Sequence, residues 1–434
     1  MSVSIRKAAR LAAASSVAVL GLGSAAQAAG FYLQEQSAQA IGRAFSGEAA
    51  DQGPESLWWN PAAIGGMTGV SGYVSGAGIL PSGDANDTGT VIVRPGQAPA
   101  SVGGDALASN PIQNGFLPSA GIAAAINDRI AVGVAVTSPY SFETNYAADS
   151  WARYSALETK LTTIDIQPSV AFRLTDWLSL GAGLNAEYSN ATLSNALPNL
   201  SPLLPDGLEE LKGNGWNYGW SAGAQIHSDR LTLGLTYKSS VQHKLTGSVD
   251  ITGLLGPLAG NNASIPTQAT FNTPWQAIAG LRFKATDRLT LDAQVVRAGW
   301  SKFSVISLGA PLNVALPEGY RDTWSAAVGF DYLVAPKWTF RAGVQNDQTP
   351  TQDGARDARV PDGDRWNLAL GGTYQATRTF AVDLGASYVM IANASIDRPT
   401  AAFVGTPVQT PILTSGETSG AHAIVLALGA RFSF

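Results

Sequence analysis

The residues able to do acid–base or covalent chemistry are few and scattered. The chain holds three histidines, His227, His243 and His422, and no cysteine. The histidines fall in unrelated segments, and no serine–histidine–carboxylate set is legible around any of them. An outer-membrane lipase needs a histidine beside a serine on the lumen side of its wall, and the sequence does not display that pair. No spacing matches a metal site. Asp362-Gly363-Asp364 lacks the further ligands of a calcium loop and reads as a turn. The sequence therefore assigns no catalytic residue, no metal and no cofactor. The missing cysteines exclude a disulfide framework and thiol chemistry.

What the chain has instead is a repeated element. Six tight polar turns each launch a stretch of alternating apolar and polar residues: Asn127-Asp128-Arg129, Thr175-Asp176, Ser228-Asp229-Arg230, Thr286-Asp287-Arg288, Ala335-Pro336-Lys337 and Ala376-Thr377-Arg378. After the third, Leu231, Leu233, Leu235 and Tyr237 alternate with Thr232, Gly234, Thr236 and Lys238. Period two marks strands with one apolar and one polar face. Seven longer stretches rich in Pro, Gly, Asn and Asp separate the turns: about 81–114, 140–156, 195–214, 250–266, 304–321, 347–363 and 393–420. Six turns and seven loops join fourteen strands. Short turns at one end and long loops at the other are the pattern of a membrane barrel.

The ends of the chain place it. Arg6, Lys7 and Arg10, an apolar Leu11–Leu22 core and Ala26-Gln27-Ala28 read as a secretory leader, 1–28, cleaved after Ala28. That core is short of the roughly 20 residues a spanning helix needs. The last segment puts Ile424, Leu426, Leu428, Ala430, Phe432 and Phe434 on one face and stops on the aromatic. Such an ending resembles the assembly signal of bacterial outer-membrane barrels. It makes barrel-assembly machinery a partner through Phe434, with outer-membrane lipids as surroundings. Only 14% of residues are charged, against roughly 25–35% of a soluble domain's surface. Loss of the leader leaves 24 basic and 32 acidic residues, a net charge of −8, which argues against nucleic acid. Trp177, Trp338 and Phe380 after the turns, and Trp216, Trp220, Trp275, Trp300 and Trp324 towards the loops, fit two interfacial girdles.

Residues 29–68 do not alternate. They read as short helical or irregular pieces, 34–43, 47–54 and 56–66, too small to fold alone. Their economical place is inside the barrel. The expected architecture is an all-β, fourteen-stranded antiparallel transmembrane barrel, 69–434, with a small helical N-terminal hatch, 29–68, plugging its lumen.

Several motifs resemble the FadL family of outer-membrane transporters for long-chain fatty acids and related hydrophobic compounds. They are Ala29-Gly30-Phe31, Gly42-Arg43-Ala44-Phe45-Ser46-Gly47-Glu48 and Asn60-Pro61-Ala62 in the hatch. Downstream, Leu157-Glu158-Thr159, Gly213-Asn214-Gly215-Trp216, Pro274-Trp275, Trp300-Ser301-Lys302-Phe303 and Pro361-Asp362-Gly363-Asp364-Arg365 continue the likeness. The resemblance implies a non-enzymatic monomer that takes hydrophobic small molecules across the outer membrane by passive diffusion. It implies capture by extracellular loops, binding in an apolar lumen pocket, and sideways exit at a kink in the third strand. On that basis Phe31, Asn60, Pro61 and Ala62 are candidate ligand-binding or gating residues of the hatch. Ser138, Pro139 and Tyr140 are candidates at the kink. A proline removes a ladder donor, so Pro139 marks either a break in the wall or the end of the strand.

Two apolar groups, Leu203, Leu204, Leu208 and Leu211, and Leu254, Leu255 and Leu258, fall in expected extracellular loops. Exposed, they fit a capture groove; otherwise they pack loop on loop. Family carriers of fatty acids are expected to hold basic residues after the fifth strand and before Glu318-Gly319. Here Ala191–Asn195 and Val314–Pro317 hold none. Arg153, Lys160, Lys244 or Arg321 remain as substitutes, and neutral or aromatic hydrocarbons stay as the alternative cargo. A general porin is disfavoured by the hatch and the greasy loops.

Overall fold

The computed structural model describes residues 30–434; the expected leader and its cleavage site lie outside them. The alternating segments pair in chain order into a closed antiparallel barrel of fourteen strands. β1 is Val70–Asp87 and β2 Gly115–Ala125. β3 comes in two pieces, Ile130–Thr137 and Ser141–Asn145. β4 (Glu158–Arg173), β5 (Leu178–Leu197) and β6 (Gly207–His227) are long and continuous. β7 (Leu231–Lys238, Gln242–Thr252) and β8 (Ala263–Asn272, Trp275–Lys284) are each interrupted once. β9 is Leu289–Gly299 with Val305–Leu308, and β10 is Val314–Pro317 with Thr323–Ala335. β11 (Trp338–Asp347), β12 (Arg365–Gln375), β13 (Phe380–Ile391, Ser395–Ala402) and β14 (Thr410–Ser433) complete the wall. β14 pairs with β1, and Phe434 exchanges both backbone hydrogen bonds with Val70, at 2.7 and 2.9 Å. Closure leaves no strand edge in the bilayer.

The apolar face of each strand points outwards, to lipid. On β14, Leu426 and Leu428 are exposed while Val425 and Ala427 are buried. Trp177 and Trp338 at the turn end, and Trp216, Trp220 and Trp324 at the loop end, are about half exposed, as interfacial anchors must be. Trp300 departs from that expectation. It is fully buried, because β9 leaves the wall after Gly299 in a short 3-10 turn, Trp300–Lys302, that turns the indole into the lumen.

The wall runs further outwards than the loop boundaries read from sequence. β5, β6 and β14 have 20, 21 and 24 residues, about twice what a crossing needs. Pro81, Leu208 and Leu211 therefore lie in strands. Leu254 and Leu258 are buried and pack with Leu197 rather than forming an open groove, while Leu203 stands free.

Residues 30–66 lie inside the barrel, almost all buried. The helical pieces are shorter than expected: one helix, Ala38–Ile41, capped by Ser37, and 3-10 turns at Glu48–Ala50, Pro54–Ser56 and Pro61–Ile64. Glycines on the wall let this backbone come close. A side chain at Gly343 would meet the Arg43 carbonyl at 2.1 Å, and one at Gly371 would meet the Gly42 Cα at 2.6 Å. Ion pairs then fix the register. Arg43, fully buried, contacts Glu48 and Asp51 at 2.6 Å within the segment and Asp331 of β10 at 3.3 Å. Arg282 of β8 reaches Asp51 at 3.3 Å, and Arg431 of β14 reaches Glu55 at 3.5 Å. Paired in this way, the charges satisfy the rule that buried ions need partners.

Candidate functional site

The third strand is broken within the wall and not merely ended. After Thr137 the chain steps inwards through Ser138-Pro139-Tyr140 and resumes as a strand at Ser141, still paired to β4. Its pairing to β2 stops at Ala120–Val136, so Gly115–Ser119 of β2 have no ladder partner on that side. The stepped residues pair instead with the N-terminal segment. Leu33 donates its N–H to the Pro139 carbonyl at 2.8 Å, Ser141 donates to the Phe31 carbonyl at 3.2 Å, and Tyr32 bridges Tyr140. The lumenal chain thus acts as a short added strand.

Gln36, fully buried, spans the gap, and sequence reasoning missed it. Its amide oxygen accepts from the Ser138 N–H at 3.1 Å and its amide nitrogen donates to the Ser138 carbonyl at 3.2 Å. Its own carbonyl accepts from the Ser119 hydroxyl of β2 at 2.7 Å. One glutamine stands in for the missing ladder on both sides. The signal available beforehand was Pro139 alone, which says that a partner is lost but not what replaces it.

Above the break sits an apolar cavity of about 280 Å³. Leu161, Leu193, Leu211, Phe271, Phe303 and Phe142 line it, and Phe31 forms part of its wall. The Phe31 ring lies 4.9 Å from Trp300, 5.0 Å from Phe303 and 5.7 Å from Phe142, centroid to centroid. Leu211, read from sequence as a loop leucine, is part of this lining. Of the other candidates, Asn60, Pro61 and Ala62 lie away from the cavity, where they seat the segment. The Asn60 side chain caps the turn by accepting from Ala62 N–H at 2.9 Å. It also donates to the carbonyls of Ala49 at 2.7 Å and Ala224 of β6 at 3.2 Å. Pro61 occupies the first turn position, where its missing N–H costs nothing.

The cavity also carries charge, from one of the expected substitutes and from two cations the sequence reading did not single out. Arg359, Arg398 and Lys160 line it together with Glu209, Glu318 and Asp357. Lys160 was among the substitutes; Arg359 and Arg398 come from the loop after β11 and from β13. Arg398 is paired with Glu318 at 3.5 Å and Asp357 at 3.2 Å, and Lys160 with Glu143 at 2.8 Å. Burial, only partly offset by Arg398, pushes the Glu318 carboxyl up to about 7.

A correction concerns histidine. His243 does lie beside a serine in the lumen: its Nδ1 is 3.0 Å from the Ser189 hydroxyl and its Nε2 is 3.3 Å from Glu187. Serine and histidine are both fully buried, and Phe271 stacks flat on the imidazole, between it and the cavity. The residues sit on β5 and β7, far apart in sequence, so only strand pairing through β6 reveals the set.

A fourteen-stranded barrel with an occupied lumen, a broken third strand and an apolar cavity above it has known relatives. The chain matches the model of the outer membrane protein transport family (OMPP1/FadL/TodX) over residues 19–434. It belongs to the FadL family. It is 30% identical over 412 residues to a long-chain fatty acid transport protein of Escherichia coli O6:H1, covering 86% of this chain and 89% of that one. It is 26% identical to outer membrane protein P1 of Haemophilus influenzae, covering 94% and 96%. Among solved structures, a Pseudomonas aeruginosa FadL homologue superposes with a TM-score of 0.81 at 26% identity, over 94% of this chain and all of that one. The Ralstonia pickettii toluene transporter TbuX shares the fold, with a TM-score of 0.63 at 18% identity, over 91% and 98%. As a FadL-family barrel, the protein resides in the bacterial outer membrane.

Proposed function

We propose that this FadL-family barrel imports long-chain fatty acids or similar hydrophobic molecules without an energy source. A ligand settles in the apolar cavity beside Phe31 and leaves sideways at the break around Ser138, Pro139 and Tyr140. Residues 29–68 act as the hatch, made free-ended by removal of the leader after Ala28. The observation that carries the reading is one of connection. Phe31 lines the cavity with its ring, while its carbonyl holds Ser141 at the break. A ligand that displaces the ring therefore pulls on the hydrogen bonds that close the wall. The lumen below is blocked by the buried, ion-paired segment, which disfavours a porin. The relatives named for fatty acid transport put fatty acids ahead of neutral hydrocarbons. Phe434, exposed at the seam, is the feature offered to the assembly machinery.

The test is Ser138→Tyr, which adds a ring at the gap. Uptake of radiolabelled fatty acid by cells should fall at least tenfold, while binding to purified protein stays within a factor of two. Equal loss of both would point to misfolding and remove the argument for lateral exit. Liposome swelling with small sugars should be absent; rapid swelling would make the protein a porin.

A further inference from the structure

Three cations line the cavity, and they differ in one respect. Arg398 and Lys160 each have a carboxylate partner, whereas Arg359 has none within 4 Å among the described residues. Its guanidinium donates only to neutral acceptors: Nη1 to the Thr159 hydroxyl at 3.3 Å and the Ser194 carbonyl at 3.4 Å, and Nη2 to the Asn195 amide oxygen at 2.9 Å. These contacts hold it at the rims of β4 and β5. A guanidinium has five N–H donors. Among the described residues the Nε–H has no acceptor and Nη2 makes a single bond; Nε and Nη2 share the edge that a carboxylate bridges with two parallel bonds.

The nearby acids do not fill that edge. Asp357 is held by the Ser155 hydroxyl at 2.5 Å and by Arg398. Glu318 is held by Arg398, and Glu209 accepts from the Asn195 amide at 3.3 Å. Burial disfavours the Arg359 charge more than these acids favour it, so its pKa lies below the ordinary value. Arg359 is half-buried, and a cation drawn partly out of water gains from an anion that completes it. The same cavity offers Leu161, Leu193, Leu211 and Phe271 for an apolar chain.

We infer that Arg359 is the head-group anchor of the cavity, selecting hydrophobic ligands that carry a carboxylate over their neutral counterparts. This deepens the import reading above and rests on it. The anchor lies in the loop after β11, while the stretches where family carriers are expected to hold basic residues, 191–195 and 314–317, remain free of charge.

The experiment compares dodecanoate with methyl dodecanoate by calorimetry on the full barrel in nonionic detergent. Wild type should prefer the free acid, and Arg359→Gln should lower the acid-to-ester affinity ratio by roughly ten- to a hundredfold, as expected for losing hydrogen bonds to a charged group. Arg359→Lys, which keeps a point charge without the fork, should lower it by less. Heat-modifiable migration on gels confirms that each variant is folded. An unchanged ratio in Arg359→Gln, or no acid preference in wild type while the ester binds, would overturn the anchor and leave the import reading standing. If wild type binds neither compound, both readings fall.

Discussion

Arg43 is the residue whose loss should free the lumenal segment without harming the wall. It is wholly buried and serves Glu48, Asp51 and Asp331 at once. Removing one partner of a buried ion pair costs roughly 3–5 kcal/mol, because the other charge is stranded. Arg282 limits the damage: it already contacts Asp331 at 2.7 Å and Asp51 at 3.3 Å. Glu48 has no such second cation within 4 Å among the described residues, and it is 1% exposed. Arg43→Met should therefore cost about 3 kcal/mol, near the lower end. At about 1.4 kcal/mol per decade, local opening of the segment should rise by roughly two orders of magnitude. Hydrogen exchange with mass spectrometry reads this directly, comparing peptides from 33–64 with wall peptides from β5 and β6 in the same sample. Exchange in the segment should accelerate about a hundredfold with the wall unchanged, and Glu48→Gln added to Arg43→Met should recover part of it. Unchanged exchange, or equal acceleration in the wall, would refute an ion-pair lock specific to this segment.

Gln36→Ala removes both bonds to Ser138 and should open the gap, raising uptake or leak of small hydrophobic dyes into liposomes; an unchanged leak would show that the glutamine does not close the wall. Asn60→Ala with Pro61→Ala should leave the barrel heat-modifiable but change fatty acid uptake several-fold, since three capping and seating bonds go; unchanged uptake would make the motif a dispensable turn. Glu318 has a folded-state pKa of about 7 against an ordinary 4.5, so its contribution to loop packing is complete below 4.5 and lost as pH rises through 7. Peptides spanning 348–363 should accordingly exchange faster at pH 8 than at pH 5 after correction for intrinsic rates, and Glu318→Gln should flatten that difference; a difference that persists in the variant would assign it to another group.

Strand number, membrane setting and the lumenal place of residues 30–66 were legible in the sequence because each rests on local order. Period-two alternation repeats along the chain whatever its neighbours do, and turns such as Ser228-Asp229-Arg230 punctuate it. A segment such as 34–66, with no alternation, could not join that wall. At Pro139 a missing donor, the property of one residue, offered either a break in the wall or a strand end, and the family resemblance favoured the break; that much was readable. What fills the break was not. Gln36 meets Ser138 across 102 residues, and nothing in either stretch announces the other. The same holds for Trp300, whose type fits an interfacial girdle but whose inward turn follows from β9 leaving the ladder. It holds too for Ser189, Glu187 and His243, gathered only by strand pairing. The cavity's charge makes the point most sharply. The stretches 191–195 and 314–317 hold no cation, and the sequence offered Arg153, Lys160, Lys244 or Arg321 as substitutes without Arg359 among them. Barrel closure brings the loop carrying Arg359 over the ends of β4 and β5, and supplies a cation from more than 160 residues away.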